Sequence, residues 1–271
     1  MVSFKQKSIL LGLSMLVVMA SVWLLVYRQT HVQYADQLVV GTCSGFPPYE
    51  VLDNQGQLIG FDIDVASLLA QHMNKKLVFK DMSFDALVLA VKQGKIDMAL
   101  AGVSITKAKL KEIAMVHYQG EPFVSVPLLF WQHIPNGVAT IYDLQKLSNK
   151  TVCVQAGNIE EEIMSHYDFL ALKQLEHISD VIMDIKYGKS IAACVDPAVA
   201  EALQHEIPEL KMLNVPLAPE EQPLGQGICI AKSNKGLFAQ VQAIIDQVKH
   251  DGTLIVLEKK WFKKGAAHVA D

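Results

Sequence analysis

Three features of the sequence predict an α/β fold of two lobes. Short apolar runs alternate with amphipathic runs of ten or so residues, the pattern of parallel sheet units. The alternation occurs twice, in series of similar size separated by an extended crossing at Phe123–Trp131 that Pro127 interrupts. A late segment, Gly225–Phe262, packs most simply back on the first series, which gives two hinge crossings and a cleft between the lobes. A chain of 271 residues has room for two lobes of about a hundred residues each.

The elements follow in order. Gln37–Thr42 is a short β run, and the two prolines of Cys43–Glu50 (CSGFPPYE) keep that segment a loop. After a turn at Asp53–Gly56, Val65, Leu68, Leu69, His72 and Met73 fall at helical spacing. Leu77–Lys80 is a strand, Phe84–Gln93 a helix and Ile96–Leu100 a strand. In the second series the strand Thr151–Gln155 leads through Gly157-Asn158 to a helix opening at Glu160-Glu161-Glu162. Val181–Tyr187 is a helix stopped by Gly188, and Ile191–Val195 a strand ending on Asp196-Pro197. A helix from Ala198, strands at Met212–Val215 and Gly227–Ala231, and helices at Phe238–Lys249 and Leu254–Phe262 complete the body. The expected division is 36–122 with 225–263 as lobe 1, 123–224 as lobe 2 and 264–271 as a tail.

Residues 1–35 differ from the rest. Lys5 and Lys7 precede an apolar run from Ile9 to Tyr27, the pattern of an export signal. The run is close to the ~20 residues that span a bilayer, so a cleaved signal peptide and a retained membrane anchor both remain open. Either way the body is exported, to the periplasm.

Of the 24 Lys and Arg, Lys5, Lys7 and Arg28 lie in this segment, leaving 21 against 28 acids, a net charge near −7 for the body. That balance argues against nucleic acid or an anionic membrane as partner. Cys43, Cys153, Cys194 and Cys229 show no CxxC or Cys/His spacing, so no metal site and no cofactor are expected. Three of them sit in apolar strand-like runs where free buried thiols are usual, so no structural disulfide is expected either.

The chemistry gathers at Gly94–Lys109. A strand there gives way to Ala101-Gly102-Val103-Ser104, small residues that leave main-chain groups open to a ligand, and Thr106 can cap a helix holding Lys109. A hydroxyl and a cation beside open backbone suit a small molecule carrying an ammonium and a carboxylate. An ordinary strand–loop–helix junction accounts for the same residues.

Three segments together resemble the ABC-transporter solute-binding proteins for polar amino acids, family 3. They are Gly41-Thr…Phe46-Pro-Pro-Tyr-Glu50, Gly60-Phe-Asp-Ile-Asp64, and Phe84-Asp-Ala-Leu87…Lys95-Ile-Asp97…Gly102-Val-Ser-Ile-Thr106…Glu112-Ile113. The ending Asp251-Gly-Thr253…Lys260-Trp-Phe262 adds support, and Val181–Val199 is most similar to the arginine-binding ArtJ-type branch.

The resemblance implies a type II periplasmic binding protein fold and no catalysis. It implies that Phe46 and Phe84 face each other across the ligand's side chain, where aromatic faces attract a guanidinium by roughly 0.5–2 kcal/mol. Ala101, Gly102 and Ser104 would meet the ligand's amino-acid group. Lys109 stands where the family has an arginine that clamps the carboxylate, keeping the charge but losing the two-pronged geometry. Asp196 would accept the α-ammonium. Gly157, Asn158 and Ile159 would offer main-chain N–H groups to the carboxylate, with Ile159 in place of the family's Thr or Ser. The plainer account of Glu160, Glu161 and Glu162 is compensation of a helix dipole, although Glu160 could reach the cleft.

The family's acidic position for cationic ligands is Cys43 here, which leaves Glu50 as the best carboxylate for a guanidinium, with Gln155 as a neutral hydrogen-bonding group. The expected function is capture of a cationic amino acid, L-arginine favoured, for delivery to ABC permease subunits in the inner membrane. A binder of glutamine or cystine is the alternative. A periplasmic dehydratase on this fold would need a cleft acid, and no His or nucleophile pairs with Glu50 or Asp196. A sensor module of a signalling receptor is the third class.

Overall fold

The computed structural model describes residues 36–262, together with Met19 and Ser21. The expected signal or anchor segment and the tail after Phe262 otherwise lie outside the described residues. Among the described residues no helix is long and apolar enough to cross a membrane.

The first half of the chain forms β1 (Gln37–Thr42), β2 (Val51–Leu52), β3 (Leu58–Ile59), α1 (Phe61–His72), β4 (Lys76–Asp81), α2 (Phe84–Lys92), β5 (Met98–Ala99), α3 (Lys107–Glu112) and β6 (Ala114–Gln119). After the first crossing come β7 (Ser125–Trp131), a 3₁₀ turn (Ile141–Lys146), β8 (Thr151–Gln155), α4 (Ile159–Ser165), β9 (Ala171–Leu175), α5 (Ile178–Lys186), β10 (Ala192–Cys194), α6 (Pro197–Glu206) and β11 (Leu210–Pro216). The chain returns with β12 (Gln226–Ile230), α7 (Lys235–His250) and α8 (Thr253–Trp261).

Two five-stranded sheets carry the lobes, in the orders β4-β1-β5-β12-β6 and β11-β7-β10-β8-β9. In each, three strands pair in parallel and the strand after a crossing joins antiparallel to the third: β12 beside β5, and β7 beside β10. Both faces are covered, as parallel units require. In β1 Leu38 and Val40 pack on one face with Phe61, Val65 and Leu69, while Val39 packs on the other with Leu87 and Val91. In the second sheet Val152 and Val154 face Ile163, while Cys153 faces Val181. Each such side chain contributes about 1.5–3 kcal/mol when fully buried.

Local chemistry sets the ends of several elements. Thr106 Oγ1 accepts the Lys109 N–H at 3.1 Å and so caps α3, as its position predicts. Asp196 caps α6, with Pro197 opening the helix. Asp64 on α1 accepts the Lys260 ammonium at 2.7 Å and the Trp261 indole N–H at 2.6 Å. The Gly60–Asp64 and Lys260–Phe262 motifs are thus two sides of one contact between α1 and α8.

The structure departs from the sequence reading at three strands. β5 keeps only two of the five expected residues, because the Asp97 carboxylate takes the Val39 N–H at 2.7 Å. β7 runs through Pro127 instead of breaking there, since β10 ends at Cys194 and the missing donor falls just past its last pair. β9 had no expected counterpart: Ala171–Leu175 mixes polar and apolar residues without alternation, and it is an edge strand pairing only with β8.

The crossings Gly120–Val124 and Leu217–Gly225 run side by side. Gly225 has φ of 86°, and a Cβ there would lie 2.6 Å from the Gly120 carbonyl oxygen. Gly236 in α7 meets nothing within 4 Å. Gly225→Ala is therefore expected to lower stability by about 1–3 kcal/mol, and Gly236→Ala to raise it by about 0.5–1 kcal/mol. Urea unfolding of the body from residue 36 measures both; equal effects would contradict the strain at Gly225.

Candidate functional site

The carboxyl ends of β1 and β5 in one lobe, and of β8 and β10 in the other, are the points where strand order reverses and a crevice opens. The lobes touch across it. Gln226 Nε2 donates to Asp196 Oδ2 at 3.1 Å, Gln155 Nε2 lies 3.6 Å from Cys43 Sγ, and Gly157 lies against the Asp85 backbone.

In the first lobe Phe46 and Phe84 come together, nearly face to face, with ring centroids 6.4 Å apart and planes at 29°. Two carbon faces with a flat group between them need ~7 Å, so a guanidinium enters between the rings once they part by about an ångström. Phe46 leans on Gly102, whose φ is 55° and whose Cβ, if present, would sit 2.7 Å from the ring. Only glycine combines that backbone with that contact. Glu50 is fully buried, and neither carboxyl oxygen has a hydrogen-bond partner. Burial, then the neighbouring Asp62, pushes its carboxyl well above the ordinary range.

Other expected contacts are differently used. The Gly102 N–H donates to Asp62 Oδ2 at 2.8 Å and so is turned away from a ligand. Ala101 packs into the core with Val39 and Phe84. Ser104 is buried and bridges to Gln226. In the second lobe, Gly157 N–H donates to Glu161 Oε2 at 2.7 Å, Asn158 N–H to the Gln155 carbonyl at 3.4 Å and Ile159 N–H to Asn158 Oδ1 at 2.9 Å. The expected anion cradle is thus occupied by its own chain, and the Ile159 side chain lies in the core with Ile163. Lys109 is half-buried and shares a pocket of about 270 Å³ with Gly157 and Asn158. Burial holds its ammonium below the usual lysine range.

Gln155 Nε2 also donates to the Glu176 carbonyl at 3.1 Å. Asp196 uses both oxygens: Oδ1 accepts Ala198 and Val199 N–H groups, and Oδ2 accepts Gln226. Burial raises Asp196 to about 6, and raises Glu160 to about 8 with help from Asp196.

Three residues escaped the sequence reading. Asp62 reads as a helix-opening acid, yet it is buried, holds Gly102, and accepts the Tyr118 hydroxyl at 2.5 Å. Thr42 closes β1 with an unpartnered hydroxyl, and Gln226 reaches across the cleft. Nothing local marks Gln226, because its role depends on a strand returning from the far end of the chain.

Two α/β lobes, two crossings and a cleft between them define a type II periplasmic binding protein. The family model of bacterial extracellular solute-binding proteins, family 3, matches residues 38–264, and the chain belongs to that family. It is 31% identical over 227 residues to the probable ABC transporter arginine-binding protein ArtJ of Chlamydia trachomatis serovar D, covering 84% of this chain and 86% of the relative. A crystal structure of a mutant ArgBP from T. maritima superposes with a TM-score of 0.76 at 27% identity, over 86% of this chain and 98% of that one. An ancestral arginine-binding protein bound to glutamine superposes with a TM-score of 0.74 at 29% identity, over 85% and 99%. The named relatives are transport binding proteins and not enzymes.

The buried acids make stability depend on pH. Asp62 is raised by burial to about 7, so the folded state holds its proton where the unfolded chain has lost it. Its stabilisation is complete below the unfolded value near 4 and is lost as pH rises through about 7. Asp62→Asn is expected to flatten the fall in ligand-free stability between pH 5 and 7, by up to about 1.4 kcal/mol per pH unit. Urea midpoints across that range test it; an unchanged slope would show that Asp62 does not hold the proton.

Proposed function

We propose that this protein captures a cationic α-amino acid, L-arginine first, in the interlobe cleft and delivers it to ABC permease subunits at the inner membrane. The observation that carries this reading is Glu50, a fully buried carboxyl with two unpartnered oxygens. A guanidinium matches it in charge and geometry, and the aromatic rings of Phe46 and Phe84 match the guanidinium's flat faces. In this reading Lys109 holds the ligand carboxylate, Ser104 and the Gly102 carbonyl meet its amino-acid group, and Asp196 stands at the ammonium. Gln155 adds a neutral contact. Ala101, Gly157, Asn158 and Ile159 shape the walls. The units that close are 36–122 with 225–263, and 123–224, on the periplasmic side of the membrane.

A neutral polar amino acid is the second reading, and one observation favours it. Cys43 brings no carboxylate to the cleft and its thiol is pushed up to about 11, so Glu50 alone must balance a side-chain cation. A protonated Glu50 could instead donate to an amide.

A thermal-shift screen over the amino acids separates the two. Arginine at 100 times its Kd is expected to add ~2.7 kcal/mol, about 5–10 °C for a body of this size. Glu50→Gln is expected to weaken arginine roughly 10–100-fold and to leave glutamine within a few-fold. Equal weakening of both ligands, or a shift with glutamine and none with arginine, would overturn the cationic reading.

A further inference from the structure

Gln226 stands at the base of the hinge. It is the first residue of β12 and pairs with Gln119, the last residue of β6, so the two glutamines mark where the crossings leave and re-enter the first lobe. A directed run of hydrogen bonds passes through its buried side chain. The Tyr49 hydroxyl donates to Gln119 Oε1 at 3.3 Å. Gln226 Nε2 donates to the Tyr49 hydroxyl oxygen at 3.4 Å and to Asp196 Oδ2, in the other lobe, at 3.1 Å. A carboxylate accepts and cannot donate, so Asp196 fixes which way the amide points.

Both Nε2 hydrogens are thereby used, while Gln226 Oε1 is buried without a partner. An orphaned acceptor costs free energy, and a leucine would fill the same space without that cost, so what the amide adds is its two donors. On the receiving side, Asp196 Oδ1 takes the Ala198 and Val199 N–H groups at the start of α6. Among the described residues Oδ2 accepts from Gln226 alone, which leaves it a lone pair for one further donor. The other titratable groups facing Asp196 are Glu160 on α4, Glu201 on α6 and Tyr49 from the first lobe.

Resting on the amino-acid reading above, with the ligand ammonium at Asp196, we propose that Gln226 is a positioning residue that couples lobe closure to ligand capture: its amide joins the base of both crossings to Asp196 and holds Oδ2 in place when the lobes are together. One partner is a carboxylate, which makes this among the stronger kinds of hydrogen bond. It gives a direction to the contact between the lobes, which the apolar packing they share does not. The bond exists only in the closed arrangement, so its loss falls on the departure of the ligand and little on its arrival.

The test compares wild type with Gln226→Leu, Tyr49→Phe and Gln226→Glu, by small-angle scattering of the ligand-free protein and by stopped-flow dissociation of L-arginine. Gln226→Leu is expected to enlarge the ligand-free radius of gyration and to speed arginine dissociation roughly tenfold or more, with association within about threefold of wild type. Tyr49→Phe keeps the ring and removes one link of the run, and should move both readouts the same way by less. Gln226→Glu sets a second carboxyl against Asp196. It should be the most open variant at about pH 8 and close again toward about pH 5, where a shared proton joins the two carboxyls. A merely structural role would not give closure that returns with acid. The wild-type radius and the wild-type dissociation rate in Gln226→Leu would overturn the assignment. If no amino acid binds wild type, the amino-acid reading falls and the ligand-free radii decide the coupling: expansion in Gln226→Leu supports it, and equal radii overturn it.

Discussion

Buried carboxyls without cations are the constraint on which this molecule turns. Glu50, Asp62, Glu160 and Asp196 are all buried, all are raised above the ordinary carboxylate range, and burial is the first cause in each. Among the described residues the buried unpartnered polar atoms belong to Thr42, Glu50, Gln155, Glu160 and Gln226, which sit at strand ends, a loop and a helix start around the cleft. A folded core does not keep such groups together for stability, since unpaired polar atoms cost free energy. Their concentration at one place is what a polar, doubly cationic solute would offset.

The rest of the structure holds those groups in position. Asp62 ties α1 to Gly102, Gly102 makes room for Phe46, and Phe46 stacks toward Phe84. Behind Phe46, Tyr49 meets Phe262 edge-on with centroids 5.2 Å apart, and Phe61 meets the same ring at 5.1 Å. One aromatic chain thus runs from the C-terminal helix to the cleft. Gln226 to Asp196 is a polar contact between the lobes, and one buried apolar cluster also holds side chains of both, Tyr49 and Ile182 among them.

The fold was legible because its signals are periodic and local. Alternation of strand and helix, the Thr106 cap and the Asp196-Pro197 junction each depend on a few adjacent residues. The site was less open to such reading. Residue type alone pointed to Gly102, Ser104 and Lys109 at a strand-to-loop junction, whereas the roles expected of Phe46, Phe84 and Glu50 came from the family resemblance. The loop Gly157–Ile159 could not, because its N–H groups are satisfied by Glu161, Gln155 and Asn158, competitors that only three-dimensional geometry reveals. Asp62 and Gln226 were missed for a related reason: each acts on a partner forty or thirty residues away. Pro127 misled in the opposite direction, since a strand tolerates proline where its neighbour has already ended.

The central claim is that the cleft balances its acids with one ligand carrying two cations and a carboxylate. A crystal structure with L-arginine bound tests it most directly. The account predicts the guanidinium at Glu50 beside Phe46 and Phe84, the carboxylate at Lys109, and the ammonium at Asp196. Arginine bound in the reverse direction, or with Glu50 left unpaired, would contradict it.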